Sequence, residues 1–227
     1  MSEDAKVTSE HAPGARPWHE REQAQAAAYD AIGDRYDEAF PHKEGQIDFT
    51  GRLLRRLPDR ARVLDLGCGT GLPTTGQLAA AGHRVTGLDL SPRMVALARA
   101  NVPEADIVQG DMVGLSPDEA EYDAIISFFS LLHLPRSGIF EMLGTIRRSL
   151  VPGGRLCLSM VEADVDDIVI PFLGQPLRVT GYLRDDLHAV LGRAGLTIEE
   201  EKVHSYIPAT TQAEPEIQIF LMCRRER

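Results

Sequence analysis

The stretch Val63-Leu-Asp-Leu-Gly-Cys-Gly-Thr-Gly71 constrains this chain more than any other. A short apolar run ending in alternating glycines is the form of a buried parallel strand that turns sharply into a helix. Glycine has no Cβ, so such a loop can take positive φ and lie close to a ligand. A second apolar run, Arg84–Leu88, ends in Asp89, 18 residues beyond Gly71. The first two strands of a parallel sheet of this kind are neighbours, which puts Asp89 beside the glycine loop. A carboxylate there can accept from both hydroxyls of a ribose. Taken alone, this leaves a dinucleotide or another adenosine derivative.

The rest of the chain supports the same class. Apolar runs at Arg62–Leu66, Arg84–Leu88, Ala105–Gln109, Tyr122–Phe128 and Arg155–Val161 alternate with helical patterns at about 73–81, 91–100 and 137–150. Ser91-Pro92 supplies an N-cap and a first-turn proline. Such alternation implies an α/β fold with a parallel sheet under right-handed crossovers. After a helix at Leu183–Ala194 come two runs with no helix between them, Thr197–Tyr206 and Ile217–Arg224. They should form a hairpin. The expected architecture is a seven-stranded, mostly parallel sheet with an antiparallel final strand, helices on both faces, and additional N-terminal helices.

Residues 1–18 carry charge, Pro13, Gly14 and Pro17 but almost no large aliphatics, and read as a flexible tail. Residues 19–60 read as a helical cap. Tyr29, Ile32, Tyr36 and Phe40 form one apolar face running to Pro41, and Ile47, Leu53, Leu54 and Leu57 face inward from a second helix. Residues 61–227 are then the core, interrupted by an insertion at about 162–181. That insertion opens with acidic residues and continues into Ile170-Pro-Phe-Leu173, which reads either as a pocket lining or as a strand packed on the N-terminal helices.

A net charge of −10 and a pI near 5.2 argue against a nucleic-acid partner, which needs a clustered positive face. Cys68, Cys157 and Cys223 are odd in number and widely spaced, so neither a disulfide framework nor a metal site is expected. No apolar run reaches the roughly 18 residues a membrane span needs, and the N-terminus has no apolar signal region. The expected setting is the cytoplasm.

The loop spacing favours one adenosine derivative. A dinucleotide loop, G-x-G-x-x-G, needs a glycine where Leu72 stands, and here the third glycine is Gly71. The form Asp65-x-Gly67-x-Gly69-x-Gly71 resembles motif I of class I S-adenosylmethionine (SAM)-dependent methyltransferases, whose fold is Rossmann-like. Gly110-Asp111-Met112 after the third strand and Ser127-Phe128-Phe129-Ser130-Leu131-Leu132-His133 after the fourth are similar to further motifs of that family. Within it, the small-molecule enzymes of ubiquinone and menaquinone biosynthesis are the nearest in pattern. Tyr29-Asp-Ala-Ile-Gly-Asp-Arg-Tyr36-Asp37 resembles their lead helix.

The resemblance implies SAM as methyl donor and S-adenosylhomocysteine (SAH) as product. It implies that Asp65, Gly67, Gly69 and Gly71 cradle the donor, Asp89 holds its ribose, and Asp111 faces the adenine amino group. Met112 and Leu90 would cover the ring, backbone groups near Ser127 and Phe128 would meet the ammonium, and Tyr36 the carboxylate. Methyl transfer is an in-line displacement in which alignment and exclusion of water matter most. A base is needed only when the acceptor keeps its proton. His133, just beyond the fourth strand, is the candidate base; Tyr29, His42 and Tyr182 are weaker ones. His83 and His188 read as surface residues. A nicotinamide-dependent oxidoreductase is disfavoured by Leu72, whereas a SAM-binding fold with a non-transferring or regulatory role stays open. The acceptor, a small molecule presenting O, N or C, is not legible, nor is oligomeric state.

Overall fold

The computed structural model describes residues 15–33, 35–115, 121–210 and 214–226, with side chains from Glu20 onward. Seven strands form one sheet: β1 (Arg62–Leu66), β2 (Arg84–Asp89), β3 (Asp106–Gln109), β4 (Tyr122–Phe128), β5 (Leu150–Val161), β8 (Leu196–Tyr206) and β9 (Glu216–Arg225). Their order is β3-β2-β1-β4-β5-β9-β8. The pairs among β1 to β5 are parallel, and β9 runs antiparallel to both β5 and β8. This is the Rossmann-like sheet expected from the alternation, with its antiparallel final strand.

Successive residues of each strand feed opposite faces, which is why the central strands read as continuous apolar runs. Leu64, Leu66, Ile125 and Leu158 pack against helix α6 (Arg136–Ser149) and helix α7 (Arg184–Arg193). Val63, Ala124, Ile126 and Cys157 face the other way, onto α3 (Glu44–Leu54) and α4 (Thr74–Ala80). Helix α5 (Pro92–Asn101) starts at Ser91, whose side chain accepts from the Met94 N–H, and buries Val95 and Ala98 against Ile107.

The structure departs from the sequence expectations in four places. The lead helix is two helices, α1 (Ala15–Ile32) and α2 (Arg35–Ala39), because the chain reverses into positive φ at Gly33. Helix α1 includes residues 15–18 of the expected tail, while residues 1–14 lie outside the described residues. In α3 the inward face is Phe49, Thr50 and Leu53, with Ile47 45% exposed and Leu54 only partly buried. Strand β5 begins at Leu150, so Val151-Pro-Gly-Gly154 is a bulged lead-in to the strand and not a free turn. In the insertion, β6 (Val165–Phe172) and β7 (Gln175–Gly181) form an antiparallel hairpin apart from the main sheet. Its Leu173 and Leu177 pack against Ala28, Ile32 and Ala39 of the N-terminal helices, while Ile170, Pro171 and Phe172 border a cavity, so both expectations for this stretch describe part of it.

This placement creates the site. The strand order reverses between β1 and β4, where crossovers leave in opposite directions and open a crevice at the carboxyl ends of the strands. Helix α1 closes that crevice from above. On one side the Asp30 carboxylate accepts from Ser91 Oγ and from the Arg93 N–H at the start of α5. On the other, Arg21 pairs with Asp167 of the β6–β7 hairpin.

Candidate active site

The glycine loop is pinned from beneath. Leu88 O accepts from the N–H groups of both Gly67 and Cys68, at 2.7 and 3.0 Å, which ties the loop to the end of β2. Gly67 and Gly69 have φ of +69° and +55°. A Cβ on Gly67 would stand 2.4 Å from Ser130 Cβ, so the loop after β4 can close on the glycine loop only because this position is bare. A Cβ on Gly69 would meet nothing within 4 Å, since this residue borders open crevice.

Asp89 sits at the crevice wall with both carboxylate oxygens oriented by backbone donors. Oδ2 accepts from the Gly69 N–H at 2.8 Å and Oδ1 from the Ser91 N–H at 2.9 Å. Each oxygen keeps a further lone pair for a ligand. Burial raises its pKa above the ordinary carboxylate value, against those hydrogen bonds. Asp65 is 3% exposed, accepts from Thr75 Oγ1 at 2.6 Å, and is pushed up by burial to about 6. Asp111 caps a short 3₁₀ turn (Met112–Gly114) by accepting from the Val113 N–H. Its other neighbour is Glu22 of α1. Desolvation first, and then the hydrogen bond and charge of Asp111, raise Glu22 to about 7. A crevice lined by carboxylates that burial makes reluctant to ionise is suited to a ligand carrying positive charge.

Eleven of the fifteen residues singled out from the sequence line this crevice: Tyr29, Tyr36, Asp65, Gly67, Gly69, Asp89, Leu90, Asp111, Met112, Phe128 and His133. Gly71 does not; it makes the turn and packs on Val102 and Ala98. Of the weaker base candidates, His42 lies outside the crevice and Tyr182 is buried beside α7. The Ser127 side chain is fully buried and hydrogen-bonds to Ser130 Oγ, which donates to Leu66 O at 2.6 Å. Phe129 went unremarked in the sequence. Its φ is +54°, a conformation bulky residues rarely hold outside functional sites. It borders both this crevice and a second cavity. No sequence signal announces a left-handed phenylalanine. Arg21, Gln25 and Tyr29 recur every four residues on one face of α1, and only tertiary packing shows what that face meets.

That face meets His133. The imidazole Nε2 lies 2.7 Å from Tyr29 Oη, and Nδ1 lies 2.7 Å from Gln25 Nε2 and 3.0 Å from Arg178 O. Arg21 donates to the backbone carbonyl of the same residue. Desolvation holds the ring down to about 4, so it is neutral at ordinary pH. Burial likewise pushes the Tyr29 phenol well above its ordinary value.

The second cavity adjoins the crevice through Tyr29, Tyr36, Lys43, Gln46, Phe129 and His133. At about 1300 Å³ it exceeds the roughly 300–1,000 Å³ usual for small-molecule sites. One wall is an aromatic stack in which Phe40 lies between Tyr36, Phe172 and Tyr206 at ring separations of 5.4–5.7 Å. The β6–β7 hairpin adds Ile168, Ile170, Leu177 and Val179. Among the described residues, no group of three His, Cys, Asp or Glu is placed to hold a metal ion, and no helix is long and apolar enough to cross a membrane.

Comparison with known proteins agrees with this geometry. A family model described as "Methyltransferase domain" matches residues 63–154, the span from β1 into β5. The chain is 31% identical over 196 residues to a 27-O-demethylrifamycin SV methyltransferase of Amycolatopsis mediterranei, covering 78% of this chain and 70% of that protein. It is also 31% identical over 178 residues to a ubiquinone biosynthesis O-methyltransferase of Xylella fastidiosa, covering 71% of each. The fold is shared with a 1,6-didemethyltoxoflavin-N1-methyltransferase of Burkholderia thailandensis, whose structure contains S-adenosylhomocysteine. The TM-score is 0.68 at 21% identity, over 100% of this chain and 99% of that one.

Proposed function

The chain belongs to the SAM-dependent methyltransferases, and from that premise we propose which of its residues hold the donor and what kind of acceptor it serves. The reaction is transfer of the methyl group of SAM to a small molecule, leaving SAH. SAM supplies, when bound, a methyl carbon already activated by a neighbouring sulfonium. The protein's part is to bind, orient and keep water out.

In this reading Asp89 holds the ribose hydroxyls, Asp111 takes the adenine amino group, and Leu90 and Met112 cover the ring. Gly67 and Gly69 let the backbone approach the amino-acid end, with Asp65, Tyr36, Phe128 and the backbone near Ser127 around it. The donor set fits: three carboxylates that burial or acidic neighbours leave short of positive partners would face a cationic molecule. The observation that carries the assignment is Asp89, whose two oxygens are pre-oriented by the Gly69 and Ser91 N–H groups at the carboxyl end of β2. Replacing it should cost the hydrogen bonds of one charged acceptor, about 1.5–3 kcal/mol or roughly 10- to 150-fold in affinity. Titration calorimetry of SAH against Asp89→Asn, with a thermal scan to show the variant is folded, tests this. Unchanged SAH affinity in a folded variant removes Asp89 from the site.

We place the acceptor in the adjoining cavity, entered past Tyr29, Tyr36 and His133, and infer that His133 takes part in catalysis there. Two further readings go with it. The net charge of −10 supports a free small molecule over a nucleic acid as the acceptor. Three unpaired thiols, two of them buried in the sheet, support a reducing cytoplasm as the setting.

A further inference from the structure

We propose that the acceptor is a bulky, largely apolar molecule presenting a phenol- or enol-type hydroxyl, and that Tyr29 meets this hydroxyl and relays its proton to His133. The inference rests on the methyltransferase reading above and deepens it.

The shape and lining of the second cavity give the first half. Aromatic rings stacked on one wall and aliphatic side chains of the hairpin on another favour a flat, apolar body. The polar features are few and fixed. Gln46 Oε1 and His204 Nε2 border this cavity and have no hydrogen-bond partner among the described residues. They suit a molecule with a few polar groups at its rim. Such buried polar atoms ask for partners.

The second half comes from what each imidazole nitrogen touches. Arg178 O can only accept, so a ring that carries its proton on Nδ1 donates to it, with the Gln25 amide turned to present Oε1 and not its NH2 to the ring, and leaves a lone pair on Nε2. Tyr29 then donates to Nε2 across 2.7 Å. With the proton on Nε2 instead, Gln25 donates to Nδ1 and the ring donates to Tyr29 Oη. In both forms Nε2 is engaged by Tyr29, and an acceptor can reach the imidazole only through the phenol. Tyr29 borders both cavities, at their junction. Its oxygen has a free lone pair for an incoming O–H.

The step balances. The acceptor oxygen bonds the methyl carbon as the methyl–sulfur bond returns its electron pair to sulfur. The acceptor proton passes to Tyr29 Oη while the Tyr29 proton moves to His133 Nε2, and the imidazolium so formed keeps its Nδ1–H on Arg178 O. One positive charge leaves sulfur and one arises on His133, so the charge of the closed site is unchanged. A phenol or an enol gives up its proton more readily than an alkyl alcohol, and its flat body matches the stacked aromatic wall.

The test uses 2-naphthol as a hydroxylated probe and naphthalene as its counterpart without the hydroxyl, on the full-length protein saturated with SAH. The wild type should bind 2-naphthol about tenfold more tightly than naphthalene, because a site built to hydrogen-bond a hydroxyl rejects the analogue lacking it. Tyr29→Phe should lose that discrimination while binding naphthalene as the wild type does. Excited 2-naphthol is a strong acid, so next to the relay it should emit from the naphtholate. Tyr29→Phe and His133→Gln should both emit from the neutral form only. Equal affinity for the two probes in the wild type overturns the proposal, and that comparison needs no variant to fold. A naphtholate band that persists in both variants overturns the relay. SAH titrated in the same preparations separates the readings: failure to bind SAH defeats the donor assignment, while SAH binding without naphthol recognition defeats this inference alone.

Discussion

Two glycines of one loop should respond to the same substitution differently, one chiefly in stability and the other chiefly in ligand affinity. In Gly67→Ala the new Cβ would lie 2.4 Å from Ser130 Cβ, where carbon atoms rest at about 3.5–4 Å, so one side must move by more than about 1 Å. Ser130 has nowhere to go. It is 5% exposed, donates to Leu66 O, and is hydrogen-bonded by Ser127. Overpacking of this kind costs about 1–3 kcal/mol, and the left-handed φ of +69° adds about 1–2 kcal/mol for alanine. At roughly 2–4 °C per kcal/mol for a chain of this size, the unliganded protein should melt ~4–20 °C lower. Gly69→Ala keeps only the backbone cost at φ +55°, about 1–2 kcal/mol and ~2–8 °C, because its Cβ meets no atom. The added methyl instead occupies the crevice, and a misplaced methyl of this kind at a ligand contact costs about 1–3 kcal/mol, roughly 5- to 150-fold in SAH affinity. Differential scanning fluorimetry without ligand and calorimetry with SAH read the two effects separately. If Gly69→Ala binds SAH as the wild type does, the loop does not lie against the ligand. If the two variants melt together, the close approach of Gly67 and Ser130 is wrong.

Two buried groups should give opposing pH dependences that hide each other. Burial raises Asp65 from 3.8 to about 6, so its contribution to stability is full below 3.8 and lost as pH rises through 6. Asp65→Asn, which keeps an acceptor for Thr75, should therefore raise the melting temperature of the unliganded protein at pH 7.5 while weakening SAM binding; a fall in both would refute the electrostatic account. Desolvation lowers His133 from 6.5 to about 4, so the unfolded chain binds more protons between those values and stability from this group rises with pH there. Melting curves from pH 4 to 7 should all carry the fall that Glu22, raised to about 7, imposes; relative to the wild type, Asp65→Asn should slope less steeply downward and His133→Gln more steeply. The same slope in all three would show that neither group is coupled to folding.

The cofactor half of this molecule was legible because its constraints are local. A glycine must stand where Ser130 presses on the backbone, and an acidic residue must end β2, so Gly67, Gly69 and Asp89 appear in the sequence at fixed distances from a strand. The parallel directions and the antiparallel final strand followed from alternation and the missing last helix for the same reason: each rule concerns neighbours along the chain. The break at Gly33 was missed because Tyr29, Ile32, Tyr36 and Phe40 keep helical spacing across it, and periodicity does not register a single positive φ.

The cavity proposed for the acceptor depends on contacts between segments 45 to 108 residues apart. His133 was legible as a histidine at the end of a strand, but its partners Gln25 and Tyr29 belong to α1 and its third, Arg178, to β7. Tyr29 looked like a core tyrosine on an apolar helix face, which it partly is, since the ring packs with Tyr36 while its hydroxyl turns to the imidazole. The same helix face thus lines the crevice and holds the His133 ring. This explains why the sequence names the methyl donor and says little about the acceptor: the residues proposed for the donor lie in one loop and two strand ends, whereas the cavity proposed for the acceptor forms only where the N-terminal helix and the inserted hairpin meet.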